Sequence, residues 1–271
     1  MAARRARRGA SAVLVIVVAT VAVIVGGRYA WRAFTSAARN NSCSFGSYQL
    51  DLDQAQTAST MVSVVIKRGL PERAAVLTIG AALQESKLRN IPAGEGDRDS
   101  VGVLQQRPSQ GWGTEAELSN VSTATTKFLD ALIKLPNWQS DSLAEAVQSV
   151  QISADGQAYA KHEAQATSIA QALMGSAPAG VNCAFDKPTR VAAAGTVASQ
   201  LRSDLPINPP GVQGKVLHVS GASWATAAWF VTHANQYGID SVSYGGKKWT
   251  RADGWKDSSS AGSTEVAAEL A

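Results

Sequence analysis

One carboxylate, Glu85, is distinctive because it lies near the end of an otherwise apolar stretch. Residues 71–88 carry hydrophobic side chains nearly all round a helical wheel, which predicts a central, buried helix. Burial disfavours the charged form of a carboxyl group, and a helix C-terminus is the negative end of the helix dipole. Both effects should raise the pKa of Glu85. A carboxyl group that stays protonated near neutral pH is the general acid that cleavage of a glycosidic bond requires.

A second motif follows Glu85 at short range. Glu85 is succeeded by Ser86 and Asn90, and then by residues 100–108 with the sequence SVGVLQQRP. This order, a helix ending in Glu-Ser, a loop with Asn, and a segment carrying Ser, Gly, Leu and Gln, resembles the lytic transglycosylase and lysozyme-like superfamily. The resemblance covers residues 50–173, where several short elements occur in the expected order.

The resemblance implies a role for each matched residue. Glu85 would be the catalytic acid/base, Ser86 would support it, and Gly102 with Gln105 would form part of the floor of a glycan cleft. Trp112 could stack on a sugar face, and the alternative is an aromatic side chain packed within a loop. The substrate-binding residues expected on this basis are Ser86, Gly102, Gln105, Gln106, Trp112 and Gln151.

One element of the superfamily is missing where it is expected. Lytic transglycosylases usually carry a Tyr-Asn-Ala-Gly element in a later helix, with the tyrosine near the catalytic acid. The corresponding region, residues 146–154, has neither tyrosine nor asparagine, and Gln148 or Gln151 could supply the polar contact instead. Two functions therefore stay open. The first is an enzyme that cleaves the glycan strands of peptidoglycan, and the second is an inactive lysozyme-like module that binds glycan or a partner.

The number of carboxylates separates two possible reactions. With one acid, the route implied by the resemblance is substrate-assisted: Glu85 protonates the leaving oxygen while the N-acetyl group or 6-hydroxyl of the sugar attacks. A hydrolase with two carboxylates would need a partner for Glu85, and Asp97 and Asp99 in the following loop are the near candidates. The alternative role for Asp97 and Asp99 is to cap a turn. We favour the substrate-assisted route.

No pattern in the sequence indicates a metal or a cofactor. The histidines are far apart, and there is no His-x-x-x-His pair or cysteine cluster of the kind that binds zinc. Glycine-rich phosphate loops and serine nucleophile elbows are also absent. We therefore expect neither a metal nor a cofactor. The three histidines are His162, His218 and His233.

The N-terminal segment predicts a membrane anchor. Four arginines within residues 1–8 precede an uncharged, apolar run over residues 9–27, about 19 residues that would span roughly 28 Å as a helix. Positive residues stay on the cytoplasmic side, so a single-pass cell-membrane protein with extracytoplasmic domains is predicted. The alternative is a cleaved signal peptide ending near residues 35–37. The same arginines explain the net charge of +4, and no basic stripe follows, so nucleic-acid binding is not expected.

The cysteines and tryptophans indicate how the exported part is held together. Cys43 and Cys183 are the whole cysteine complement, and in an exported domain such a pair is more often bridged than free. The alternative is two buried thiols. Trp229 is expected in a helix core. Trp249 and Trp255 lie near a predicted hairpin and could form a carbohydrate or peptide contact.

We therefore predict a mainly α lysozyme-like domain behind an N-terminal single transmembrane helix, followed by a small C-terminal α+β domain of β-α-β-β order. The predicted segments are a cytoplasmic basic arm (1–8), the transmembrane helix (9–27), a juxtamembrane segment (28–49), the lysozyme-like domain (50–174), a linker (175–212), the α+β domain (213–256) and a flexible tail (257–271).

Overall fold

The computed structural model describes residues 41–152, 156–259, 261 and 264–271. Residues Asn41–Ala271 form a compact unit. Its α-helices are α1 (Leu52–Lys67), α2 (Glu72–Glu85), α3 (Glu115–Leu118), α4 (Val121–Leu132), α5 (Leu143–Gln151), α6 (Glu163–Met174), α7 (Ala194–Asp204), α8 (Trp224–Thr232) and α9 (Ala234–Tyr237). Two 3-10 helices span Pro108–Gln110 and Gly156–His162. The strands are β1 (Ser42–Phe45), β2 (Tyr48–Asp51), β3 (Val181–Ala184), β4 (Gly211–Gln213), β5 (Val216–Ser220), β6 (Ile239–Tyr244), β7 (Lys247–Thr250), β8 (Gly254–Asp257) and β9 (Glu265–Leu270).

Helix α2 is the centre of the helical part. Every residue from 74 to 83 is buried, as expected of a helix that is apolar on all faces. Helices α1, α5 and α6 pack against it. A Cβ atom at Gly80 would come within 2.1 Å of Leu143 Cδ1, so the missing side chain lets α5 approach the α2 backbone. This packing fixes the direction of α2 and therefore the position of Glu85 at its last residue.

Two antiparallel sheets accompany the helices. A three-stranded sheet has the order β2-β1-β3, and a six-stranded sheet has the order β4-β5-β9-β6-β7-β8. Cys43 in β1 lies directly opposite Cys183 in β3, and the two form a disulfide. The disulfide therefore joins the beginning of the described unit to a strand that follows α6.

The predicted fold class is wrong. The protein is a mixed α+β structure with two antiparallel sheets, not a mainly α lysozyme-like domain with a small β-α-β-β appendage. Strands β1 and β2 are each four residues long, too short for alternation of polar and apolar residues to be recognised. Residues 265–270 belong to the segment predicted as a flexible tail, yet they form β9 between β5 and β6.

The predicted membrane anchor is also corrected. Residues 9–27, and the alternative signal-peptide site at residues 35–37, lie outside the described residues. Within the described ranges no helix is long and apolar enough to cross a membrane. The longest of these helices, α1, has 16 residues, whereas a spanning helix needs about 20. The described residues therefore do not support the predicted single transmembrane helix or the cell-membrane location.

The C-terminal sheet is attached to β3 by two tryptophan side chains, one in β7 and one in β8. Trp249 Nε1 donates to the Cys183 carbonyl at 3.0 Å, and Trp255 Nε1 donates to the Val181 carbonyl at 2.7 Å. Trp249 is fully buried. Buried indole N–H groups usually need such a partner. Both indole N–H groups thus bind inside the protein, so these side chains hold the sheet in place and do not offer these donors to a glycan or peptide.

Candidate active site

A cleft of about 440 Å³ opens beside the C-terminal end of α2. Its wall is mostly polar, with amide, carboxyl and guanidinium groups and with Trp112 and Ile152 as the large apolar residues. A volume of this size is within the usual range for a small-molecule site. The predicted site residues that line it are Glu85, Gln105, Gln106, Trp112 and Gln151.

Glu85 is half-buried in this cleft and is hydrogen-bonded by a tyrosine. Tyr159 Oη donates to Glu85 Oε1 at 2.5 Å. Burial raises the pKa of the Glu85 carboxyl group, while hydrogen bonds from Tyr159 and Gln151 act in the opposite direction. The net result is a raised pKa, because the desolvation of the carboxylate is the larger effect. Glu85 can therefore keep its proton at a higher pH than an exposed glutamate.

Ser86 does not line the cleft but ties the end of α2 to the next segment. Its side chain is buried, and its hydroxyl lies 2.7 Å from the Val103 carbonyl, to which it donates, and 3.2 Å from the Ala82 carbonyl. The chain turns sharply after it, with Lys87 and Leu88 both in the left-handed region. Ser86 thus supports the position of Glu85 against the loop that carries the glutamines.

Gly102 also lies behind the cleft wall. Its φ angle is +79°, and a Cβ atom there would meet the Leu118 carbonyl oxygen at 2.2 Å. Its N–H donates to the Ile91 carbonyl at 2.8 Å. Gln105 Nε2 in turn donates to the Gly102 carbonyl at 2.9 Å. Glycine is therefore required where the loop crosses other backbone, and this crossing positions Gln105 in the cleft.

Three further residues complete the predicted set. Gln106 is 2% exposed, and its Oε1 has no hydrogen-bond partner among the described residues, while Nε2 donates to the Ala124 carbonyl at 3.3 Å. Gln151 Nε2 donates to the Leu104 carbonyl at 2.9 Å. Trp112 is partly buried, packs against the hydrophobic core and also lines the cleft. Trp112 is therefore a packed loop side chain that also forms part of the cleft wall.

The two aspartates proposed as partners of Glu85 have different environments. Asp99 accepts from the Ser109 N–H at 2.8 Å and from Arg107 Nε at 2.7 Å, and hydrogen bonds from Ser109, followed by that from Arg107, hold its pKa well below the usual range. It therefore caps the turn at Pro108–Gln110. Asp97 lines the cleft, but its side chain is 90% exposed and lies 3.9 Å from Arg98. A partner of Glu85 would act as an ionised nucleophile or base; Asp99 is engaged within its own turn, and Asp97 is a highly exposed carboxylate beside Arg98.

Sequence reasoning missed Tyr159. The sequence prediction considers residues 146–154 for a polar contact to Glu85, whereas Tyr159 lies in the 3-10 helix Gly156–His162, a few residues beyond that region. Its side chain is 1% exposed. A 3-10 helix has no 3.6-residue period, so the pattern of the segment gave no sign that the side chain turns inward. A search for any tyrosine shortly after the expected position would have found it.

Comparison with known proteins adds nothing to this site, because no protein-family model and no curated protein matches the chain. Among the described residues, no group of three or more His, Cys, Asp or Glu side chains is placed to hold a metal ion. The chemistry of the cleft is therefore argued from its own side chains.

Proposed function

We propose that this protein cleaves glycosidic bonds in the N-acetylated glycan strands of peptidoglycan, with Glu85 as the acid/base. The observation that carries the proposal is the half-buried Glu85 carboxyl group, bonded by Tyr159 at 2.5 Å, in a polar cleft. A general acid for glycosides must be protonated before the reaction and stable as a carboxylate after it. Burial favours the first state, and the Tyr159 hydrogen bond favours the second.

The reaction begins with proton transfer from Glu85 to the glycosidic oxygen while the bond from that oxygen to C1 breaks. In the route with an attacking 6-hydroxyl, the hydroxyl oxygen bonds to C1 and its proton passes to the Glu85 carboxylate. Atoms then balance without a water molecule, the product is a 1,6-anhydro sugar, and the acid is restored. Tyr159 remains hydrogen-bonded to Oε1, which leaves Oε2 to carry the proton.

A single-acid route fits this cleft better than a pair of carboxylates. A retaining or inverting pair needs a second carboxyl group as nucleophile or base. Asp99 is occupied by Arg107 and Ser109, and Asp97 is highly exposed beside Arg98. In the proposed route the substrate supplies its own nucleophile, as an N-acetyl group or a 6-hydroxyl can. This requirement is the reason to propose an N-acetylated glycan.

Substrate recognition is expected to depend on amides and one aromatic ring. Gln105, Gln110 and Gln151 line the cleft and offer both donors and acceptors to sugar hydroxyl and acetamido groups. Trp112 offers an indole ring, and aromatic rings pack against the apolar faces of sugars. A cleft with such walls suits a polar polymer.

The test is incubation of the protein with purified peptidoglycan and mass spectrometry of the soluble fragments. We expect anhydro-muropeptides from the unmodified protein and a loss of at least about a hundredfold in Glu85→Gln, which keeps the size of the side chain but not the acid. Glu115→Gln is the matched control, because Glu115 is exposed and does not line the cleft.

Two further outcomes separate the alternatives. If Asp97→Asn is as inactive as Glu85→Gln and the products are hydrolytic, the single-acid route is wrong although glycoside cleavage stands. If no fragments are released and both the unmodified protein and Glu85→Gln sediment with the glycan, the protein is a binding module. Circular dichroism on each variant excludes unfolding as the cause.

A further inference from the structure

A second cleft of about 440 Å³ lies among α1, α4 and α7, and none of its residues belongs to the candidate active site. Hydroxyl side chains from all three helices line it, together with two cations and one carboxylate. An inference about this cleft is therefore independent of the proposed glycosidase activity. The lining of this cleft includes Ser63, Lys67, Arg68, Ser122, Ser203 and Asp204.

The environment of the Ser63 hydroxyl is the first observation that indicates a ligand site in this cleft. Its side chain is buried, with 5% exposure, and it lines the cleft. Within the described part of the chain, its hydroxyl has no hydrogen-bond partner, whereas Thr60 and Thr126 in the same cleft bond to carbonyls of their own helices. The Ser63 Oγ atom is not among the fully enclosed atoms that lack a partner, so the hydroxyl opens into the cleft. It can bond there to water or to a ligand.

The environment of the Lys67 ammonium group is the second observation that indicates a ligand site. Its Nζ donates to the Ser203 carbonyl at 2.9 Å, and no carboxylate of the described residues lies within 4.0 Å of it. Arg68, by contrast, is paired with Asp130 at 2.6 Å. Lys67 is thus the cation of this cleft that forms no ion pair among the described residues, and its ammonium group has donors left for a ligand.

Asp204 sets a further condition on the ligand. Its two oxygens accept from Trp229 Nε1 and Gln200 Nε2, both at 2.9 Å. Each carboxylate oxygen has a second lone pair, so Asp204 can also accept a hydroxyl group. A bare anion would meet this carboxylate without a compensating hydrogen bond. A ligand with hydroxyl groups and one anionic group would satisfy Asp204, Ser63 and Lys67 together.

We propose that this second cleft binds a small polyhydroxylated anion, such as a sugar acid or a sugar phosphate. Lys67 binds the anionic group, and Ser63 and Asp204 bind hydroxyl groups. The hydroxyls of Ser122 and Ser203, at the other walls, are also without partners among the described residues and face the same ligand. Carboxylate and phosphate share the required charge, so the experiment must distinguish them.

Calorimetric titration of the full-length chain tests this proposal with four compounds: glucuronate, glucose 6-phosphate, glucose and inorganic phosphate. We expect glucuronate or glucose 6-phosphate to bind, and the tighter of the two identifies the anionic group. Glucose lacks the charge and inorganic phosphate lacks the carbon-bound hydroxyls, so each should bind at least about tenfold more weakly. If neither charged sugar binds, or if glucose or inorganic phosphate binds as tightly, the proposal is wrong.

Four variants locate the binding. Lys67→Met should weaken binding of the charged sugar about tenfold. Lys187→Met should leave this binding unchanged, because Lys187 is exposed and lines neither cleft. Ser63→Ala should weaken binding about fivefold, while its melting temperature stays equal or rises, because an unpartnered hydroxyl is removed from a helix. Equal binding by Lys67→Met and the unmodified protein would overturn the assignment. Glu85→Gln should bind normally, which separates this cleft from the candidate active site.

Discussion

Tyr159 Oη donates to Glu85 Oε1 across 2.5 Å, although the two residues are 74 positions apart in the sequence. Glu85 ends a buried helix, and Tyr159 comes from the 3-10 helix Gly156–His162. The two side chains are held by different elements that pack against each other. The hydrogen bond therefore depends on tertiary packing, and its energetic effect can be measured without changing the helix that carries the acid.

Tyr159→Phe should change both the rate of glycan cleavage and its pH dependence. The variant removes a donor that favours the Glu85 carboxylate, so the pKa of Glu85 should rise further. Because the acid must be protonated in the first step, the descending limb of kcat/KM against pH should move to higher pH. The loss of carboxylate stabilisation should lower kcat by roughly tenfold to a hundredfold.

The control for this variant is Tyr244→Phe. Tyr244 Oη donates to the Ala222 carbonyl at 2.8 Å. The control variant therefore removes the same hydroxyl group and one hydrogen bond, but at a place away from the cleft. The pH profile of the control should match that of the unmodified protein. A descending limb that stays in place in Tyr159→Phe would show that Tyr159 does not act on the acid.

Gly102→Ala should destabilise the protein more than a glycine substitution at a similar φ angle. At Gly102 the new Cβ would lie 2.2 Å from the Leu118 carbonyl oxygen, in addition to the strain of φ +79°. At Gly94 the φ angle is +84°, but no atom lies within 4 Å of the Cβ position. Gly94→Ala should therefore cost only the left-handed strain, about 1 kcal/mol.

Urea unfolding followed by tryptophan fluorescence measures the difference. The free energy of unfolding should fall clearly further in Gly102→Ala than in Gly94→Ala, and glycan cleavage should fall with it because Gln105 moves. Equal losses in the two variants would mean that the loop crossing at Leu118 is not a constraint on the fold.

Part of this structure could be predicted from the sequence. The apolar run around α2 predicted a buried helix, and Glu85 is its last residue. Five of the predicted site residues line one cleft, because they come from segments adjacent to the end of that helix. Ser86 and Gly102 lie behind the cleft wall. Local sequence patterns cannot distinguish a residue that supports the wall from one that contacts the substrate. Local periodicity was therefore sufficient for the buried helix that ends at Glu85, whereas the loop residues were selected by the resemblance.

The rest of the structure depends on long-range pairing. Strand β1 pairs with β3 across a separation of 140 residues at the cysteines, and four-residue strands carry too little pattern to indicate a partner. Strand β9 has alternating burial, but its alanines and glutamates are weak strand formers. Tyr159 reaches Glu85 only through the packing of the helices. Such contacts have no local signal.

Loss of the disulfide should strongly destabilise the protein. Cys43 and Cys183 are both buried, so Cys43→Ala with Cys183→Ala removes the bond without adding a polar group. For a closed loop of this length, the chain-entropy model gives about 5 kcal/mol. The free energy of unfolding, measured in urea, should fall by an amount of that order. A decrease below about 1 kcal/mol would show that the packing of β3 against Trp249 and Trp255 is sufficient without the bond.

The last prediction concerns stability at low pH and His233. This side chain is buried and stacks on the Trp229 ring with the Tyr237 ring beside both, and Nδ1 lies 2.8 Å from the Trp229 carbonyl, to which it donates. Burial lowers the pKa of His233 to about 4, from an ordinary value of 6.5. Between these values the unfolded chain binds a proton that the folded protein does not, so stability falls as the pH decreases from 6.5 to 4.

The difference between the pKa values of His233 in the unfolded and folded states corresponds to about 3 kcal/mol. This part of the free energy of unfolding is present at neutral pH and is lost by pH 4. The variant His233→Phe keeps an aromatic ring in the stack but cannot be protonated. Urea unfolding at several pH values should show a flatter decline between pH 6.5 and 4 for this variant. The control is His218→Gln, because His218 is only partly buried and pairs with Glu265. If the decline is as steep in His233→Phe as in the unmodified protein, another group causes the acid sensitivity, since this variant has no proton to gain at position 233.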